Sequence, residues 1–219
     1  MSHLRTIATV IVLLVSALPA WARETALDLL DAPVAYTADF YVTSERGTYT
    51  GTVWHAPGRE RRDFATSGGS QALLLRRDTD SAYLMKPSGR WYVGLALNSA
   101  VGLAGGLDGM AVNRTRVKDE TVAGLRTTRY RVDAGSAKGK FNGDAWFSRE
   151  GILVKAVGTL TDARGRATPV ETGLSAVKLG KVEERVFELP AGWMGMDLRS
   201  VPPEQIEQAV ERLRPMLER

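Results

Sequence analysis

The chain has 219 residues, a hydrophobic fraction of 44% and a formal net charge of +4 at pH 7, which favour one compact domain with a substantial core. It contains no cysteine, so disulfides, thiol catalysis, cysteine zinc sites and lipid attachment through cysteine are excluded. The basic residues are spread in small clusters, which allows peripheral contact with membranes or with an acidic partner.

The first residues predict export. Met1–Ala22 has Arg5 in a basic start, an apolar run at Ile7–Leu18, and the small residues Ala20 and Ala22 at its end, which is the pattern of a cleavable secretory signal. The apolar run is shorter than the ~20 residues that a membrane-spanning helix needs. We therefore expect a signal peptide over 1–22 and a soluble periplasmic domain over 23–219, for which nucleic acid is not an expected partner.

Two helices are predicted at the ends of this domain. Glu24–Leu30 has an apolar side and ends before Pro33. The second helix, over 203–219, begins at a Pro-Pro pair, which suits a first helical turn. Its apolar stripe needs a partner and would make the helix a plug or a lid. The stripe consists of Ile206, Val210, Leu213 and Leu217.

Between the helices, apolar residues alternate with polar ones, as they do in half-buried strands. Turns rich in glycine, proline and aspartate separate these stretches. The predicted strands are Val34–Thr43, Thr48–His55, Arg59–Ala65, Gln71–Arg77, Ser81–Lys86, Arg90–Ala96, Arg114–Glu120, Arg126–Asp133, Gly139–Ser148, Ile152–Asp162, Ala167–Leu179 and Val182–Leu189.

This succession predicts a mainly β fold with about ten antiparallel strands and no crossover helices. A sheet of that size coils through its own twist, and either closes into a barrel or stays open with a concave face. Leu97–Ala111 interrupts the pattern, because its glycines favour neither a strand nor a long helix. We expect a mobile apolar loop with a helical turn there.

The sequence offers little for catalysis. After the signal, His55 is the one histidine, and its place at the end of a strand predicts a surface side chain before a turn. Asp78, Asp80 and Asp108 lack the spacing of a calcium loop and are interpreted as turn residues. No catalytic residue, metal site or cofactor is expected, and the protein is predicted not to be an enzyme.

Large apolar side chains recur on many of the predicted strands and in the glycine-rich loop. They fit either an ordinary core or the lining of an apolar cavity for acyl chains. The cavity hypothesis names Tyr36, Phe40, Trp54, Tyr83, Met85, Trp91, Leu103, Met110 and Trp146.

Six short segments carry a resemblance to a known family through their order along the chain: Leu27–Leu30, Ala35–Phe40, Gly51–Trp54 leading to Pro57, Leu74–Asp78, Tyr83–Pro87 and Phe187–Trp193. Their order resembles the LolA/LolB-like superfamily of periplasmic lipoprotein carriers, to which the N-terminal part of the sensor RseB is also similar. The resemblance implies an unclosed β-barrel, or half-barrel, covered by N-terminal, C-terminal and loop helices, with an apolar cavity for acyl chains or hydrophobic peptide. Ala56 precedes Pro57 where LolA has a functional arginine.

Two hypotheses for function follow. The first is a periplasmic carrier or chaperone that binds lipid or lipoprotein acyl chains in the half-barrel and receives or delivers them at the envelope, with an inner-membrane transporter as a conceivable partner. The second is an RseB-like envelope protein-interaction or sensor module without lipid cargo. In that case Arg126, Arg129 and Arg131, expected on one face of their strand, are the candidate partner-binding residues.

Overall fold

The computed structural model describes residues 25–45, 47–66, 68–103, 109–137, 139–206 and 208. The predicted signal peptide lies outside these residues. Residues 203–206 are helical, as predicted, and Ile206 is buried, whereas nearly all of the remainder of the predicted helix over 203–219 lies outside the described chain. Within the described chain, no helix is both long and apolar enough to cross a membrane.

The described residues form a single sheet of twelve strands and two short helices. The helices are α1 (Ala26–Leu30) and α2 (Leu97–Leu103). The strands are β1 (Tyr36–Ser44), β2 (Gly47–Ala56), β3 (Arg59–Thr66), β4 (Gly69–Arg76), β5 (Ser81–Lys86), β6 (Trp91–Ala96), β7 (Ala111–Val122), β8 (Leu125–Ser136), β9 (Gly139–Ser148), β10 (Leu153–Asp162), β11 (Ala167–Leu179) and β12 (Met194–Asp197).

The sheet consists of two antiparallel meanders. In the first, β1 to β6 follow one another, and in the second, β7 to β11 do the same. Pairing of β1 with β11 joins the two meanders, and β12 adds to β6 in parallel. Since β12 and β7 end the sheet without pairing to each other, it stays open. The predicted mainly β, curved and unclosed fold is thus confirmed, with twelve strands instead of about ten.

Val182–Leu189, predicted as a strand, is instead an irregular segment with a 3-10 turn at Glu184–Phe187. Its buried side chains, Val182 and Phe187, are an odd number of positions apart, which does not match the period of a strand. The strand β12, which follows soon after, was not predicted. It is short, contains Gly195, and is exposed throughout, so alternation gives no signal there.

Leu97–Ala111 is more regular at its start than predicted, because α2 occupies Leu97–Leu103. Leu97 and Val101 are buried on one side of this helix, which is the spacing that aligns side chains along a helix. Residues 104–108 lie outside the described chain.

The helix α1 identifies the inner face of the sheet. Thr25 and Asp28 cap its start reciprocally. Its Ala26 and Leu29 pack against a cluster on β8 and β9, while Leu27 packs against the cluster that Ala82 of β5 forms with α2. Both meanders therefore curve towards α1. We call the face that contacts α1 the inner face, and the opposite one the outer face.

Glycines let aromatic rings lie flat on this inner face. A side chain at Gly51 would come within 2.9 Å of the Phe40 ring and 2.0 Å of a backbone oxygen of β3. Gly143 and Gly158 are paired neighbours on β9 and β10, and both are covered by the ring of Phe141. Such pairs allow strong local bending of a sheet.

Candidate functional site

The most exposed apolar surface of the described chain lies on the inner face, at the edge formed by β12. Leu84 is 41% exposed, Trp91 36%, Met194 73% and Met196 58%. Half-buried Leu73 and Val93 share the surface with them. We call these residues, Leu73, Leu84, Trp91, Val93, Met194 and Met196, the apolar patch.

Strand register makes the patch continuous. Leu73 pairs with Leu84, Leu84 with Val93, and Val93 with Met196, so one row of side chains crosses four strands. Trp91 and Met194 form a second row beside it. With neighbouring strands about 4.8 Å apart, the longer row spans about 14 Å.

At one end the patch runs into a buried cluster. Ala82 lies two residues before Leu84 on the same side of β5, and it is buried against Leu97 and Val101 of α2. Leu75, across from Ala82, belongs to the same cluster. The apolar surface is therefore open towards the β12 edge and closed beneath α2.

A buried polar network borders the patch on its other side. Arg62 lies across from Leu73, its guanidinium 5.2 Å from the centre of the Phe40 ring and its Nε 2.7 Å from a carboxylate oxygen of Glu60. Burial acts to raise the pKa of Glu60, but the charges and hydrogen bonds of Arg62 and His55 outweigh it and lower that pKa to about 2.

His55 belongs to this network, and the prediction of a surface histidine is wrong: its side chain is 1% exposed. Its ring stacks on Tyr36 with centroids 4.9 Å apart, Nε2 lies 2.9 Å from the carbonyl of Ala32, and Nδ1 lies 3.3 Å from Glu60. Burial raises the pKa of Tyr36 well above its ordinary value. These contacts fasten the segment after α1 to the sheet.

The outer face of the first meander is closed. Phe187 and Val182 are buried there against Leu74 and Met85. Arg76 donates a hydrogen bond to the carbonyl of Phe187 at 3.2 Å. The segment from Val182 to Trp193 thus covers the outer side of the strands whose inner side carries the patch.

The outer face of the second meander is charged. The Trp146 ring lies between Arg129, at 5.3 Å, and Lys155, at 5.8 Å, and its Nε1 donates to Glu120 at 2.6 Å. Arg129 and Arg131 both bind Asp144. Hydrogen bonds from these arginines, that of Arg129 above all, lower the pKa of Asp144.

The structure brings together few of the residues predicted to line a cavity. Trp91 alone of those described belongs to the apolar patch. Tyr36, Phe40 and Met110 are on the inner face but buried in the core. The side chain of Leu103 lies outside the described residues. The remaining ones, Trp54, Tyr83, Met85 and Trp146, lie on the outer face.

The arginines of β8 do not share one face either. Arg129 and Arg131 lie on the outer face, whereas the even-numbered Arg126 has the opposite parity on an unbroken register. Alternation of side chains along a strand therefore separates it from the other two.

Two patch residues that the sequence analysis missed, Leu84 and Val93, could have been found from strand register. Once the pairing of the hairpin between β5 and β6 is known, both residues lie on the same face of the sheet as Trp91. Met194 and Met196 carried no signal, because β12 is too short to show a pattern. Within the described residues no group of histidine, aspartate and glutamate side chains could hold a metal ion.

The architecture is that of an open, curved β-sheet with short helices on its inner face, and solved structures share it. MucB matches with a TM-score of 0.51 and 14% identity over 78% of this chain and 63% of its own. An uncharacterized conserved protein from Thermus thermophilus matches with a TM-score of 0.51 and 9% identity, over 78% and 96% of the two chains. A LolA superfamily protein from Nitrosomonas europaea reaches a TM-score of 0.40 at 12% identity, over 75% and 98%.

At these identities the likeness concerns the fold, and it confirms the predicted LolA/RseB-like fold. The chain spans less than two thirds of the length of the MucB chains it matches. Comparison of the sequence with protein-family models gives no match, and no curated protein matches it.

Proposed function

We propose that this protein binds the acyl chain of a lipid or lipoprotein on the apolar patch and acts as a periplasmic carrier or chaperone. The observation that carries the proposal is the exposure of Leu84, Trp91, Met194 and Met196 on one continuous surface. Exposed apolar surface of this kind, rimmed by polar groups, is typical of ligand-binding or interaction sites.

The chemistry of the patch suits a flexible hydrocarbon chain. Methionine side chains are unbranched and adapt to irregular partners, and the patch carries two of them beside an indole. Burial of each methylene contributes about 0.8 kcal/mol, so eight buried methylenes would contribute about 6 kcal/mol before ordering costs. No catalytic group is needed for this binding.

A second candidate is an envelope protein-interaction module without lipid cargo. The observation that favours it is the edge of β7, where Asn113–Asp119 are exposed without interruption. Within the described chain, β7 pairs with β8 and, through Ala111 alone, with Thr25. Such an edge can accept an extended peptide as an added strand.

The test uses the mature chain, exported and purified without detergent. Native mass spectrometry shows whether an acyl-bearing species copurifies, and a fluorescent fatty acid measures uptake. We expect Leu84→Glu to weaken uptake at least tenfold without a change in the melting curve, because Leu84 is partly solvent-exposed before the ligand binds.

The matched control is Leu179→Glu, since Leu179 is also exposed and apolar, at 52%, but lies on β11 away from the patch. Unchanged binding in this control is expected. An apo mass together with no uptake by the unmodified protein would reject acyl binding and favour the interaction module.

A further inference from the structure

A cation, Lys86 at the end of β5, adjoins the apolar patch. It has the same parity as Leu84 and lies across from Trp91 on β6. Its ammonium donates a hydrogen bond to the carbonyl of Gly68. No carboxylate among the described residues forms an ion pair with it, so its charge is not neutralised there.

Lys86 differs in this from three arginines of the neighbouring strands. Arg61 is bound by Asp63, Arg62 by Glu60, and Arg76 by Asp78. Their charges are cancelled within the fold. Lys86 therefore leaves an uncompensated positive charge on the inner face, at the border of an exposed hydrocarbon-like surface.

We propose that the ligand is an anionic single-chain lipid whose carboxylate or phosphate headgroup pairs with Lys86, an inference that rests on the acyl-binding function proposed above. Its tail then follows β5 from Leu84 towards Ala82 and ends where α2 closes the surface. The distance along the strand from Lys86 to Ala82 is about 13 Å. A polar head at Lys86 and a tail directed towards the apolar cluster of Ala82, Leu97 and Val101 match the polarity of the site.

Charge complementarity and apolar area together select this class of ligand. A neutral amphiphile would leave the charge of the ammonium without a counter-charge, whereas an acidic peptide would leave Leu84 and the apolar side chains beside it without a hydrocarbon partner. An ion pair beside apolar surface is also screened less by water than one on an open surface. The headgroup thus fixes the orientation of the lipid, and the tail supplies most of the apolar area that binding buries.

The experiment compares ligands of equal chain length below their critical micelle concentrations. Dodecanoate and dodecyl phosphate are titrated against monolauroylglycerol, which has a twelve-carbon tail and no charge, using the mature protein purified without detergent. We expect both anions to bind about tenfold more tightly than the neutral lipid at low salt. The preference should shrink as the salt concentration rises.

Substitution of the lysine separates charge from packing. Lys86→Gln should abolish the preference for anions and leave the affinity for monolauroylglycerol unchanged, while Lys86→Arg should retain the preference. Lys181→Gln is the matched control, because Lys181 is exposed on the segment that follows β11. It should leave all three affinities unchanged.

Each remaining outcome decides between the two proposals. Equal binding of neutral and anionic lipids by the unmodified protein would overturn the headgroup assignment and leave acyl binding intact. Binding of none of the three would reject acyl binding itself. Displacement of dodecanoate by an acidic peptide such as polyglutamate at equal affinity would replace the lipid by a protein partner.

Discussion

The two meanders have the same topology but opposite distributions of covered surface. In the second, the inner face is filled by its own side chains, with Phe147 and Val132 packed beneath α1, and the outer face carries paired charges around Trp146. In the first, the segment containing Phe187 covers the outer face, and the inner face stays apolar and open at β12.

This difference shows that curvature alone does not make a binding site. Both halves bend towards α1, yet only the half covered on its outer side has apolar surface left over on the inner side. One face of a strand can stay open to a ligand when the side chains on its other face form the core.

The largest effect is expected for Phe187→Ala, which removes the centre of the outer cover. Phe187 is 1% exposed, and truncation of a buried phenylalanine costs about 3–5 kcal/mol of unfolding free energy. Urea denaturation measures the loss, and amide exchange should quicken more in β4–β6 than in β8–β10. Equal quickening in both meanders would contradict their separate roles.

Glu60→Gln is expected to remove a pH-dependent contribution of about 3 kcal/mol. The pKa of Glu60 in the folded protein is about 2, below its ordinary value of 4.5. The stability it contributes is thus present above pH 4.5 and is lost as the pH falls towards 2. Urea midpoints measured across this range should depend less on pH in Glu60→Gln than in the unmodified protein.

The corresponding control lies in the other meander. Asp144→Asn removes a carboxylate whose pKa is also lowered, but which is bound by two arginines of the outer face, one of them largely exposed. Equal changes in the pH dependence of the urea midpoint in both variants would show that the network of Glu60, Arg62 and His55 contributes no more to stability than the ion pairs of Asp144.

Mild peroxide treatment should weaken acyl binding about tenfold while the fold persists, because sulfoxides make Met194 and Met196 polar. Met85 and Met110 are buried at 1% and 0% exposure and should resist oxidation. A protein with Met194→Leu and Met196→Leu should bind acyl chains and lose no affinity on treatment. Mass spectrometry of peptides assigns each oxidised site.

The smallest effect is expected for Arg131→Gln. Arg131 is largely exposed and shares Asp144 with Arg129, and exposed ion pairs contribute little to stability. Lipid binding and the urea midpoint should both stay close to those of the unmodified protein. A marked loss of lipid binding would place part of the site on the outer face of the second meander.

Much of the fold was predictable because alternation and turn residues mark each antiparallel hairpin. Ser81–Lys86 and Gly139–Ser148 were predicted with their observed bounds. The pairing of β1 with β11 was not predicted, since nothing local indicates which distant strand completes a pair. The parallel addition of β12 escaped prediction for the same reason.

The site was harder to predict than the fold. Parity shows which side chains share a face, but it does not show which face another segment covers. Trp54 and Met85 looked like cavity residues because they are large and apolar, yet the segment around Phe187 packs over them. Leu84 has the same character, and only its place on the uncovered face distinguishes it.

The strand β12 also determines how the site can open. Met194 pairs with Trp91 across about a hundred residues of chain, a loop whose closure entropy opposes the contact. Four exposed residues on one side of a sheet form a unit that can detach at a lower free energy than global unfolding. A ligand on the apolar patch would therefore lose its contacts with Met194 and Met196 on local unfolding of this strand, while the rest of the sheet stays folded.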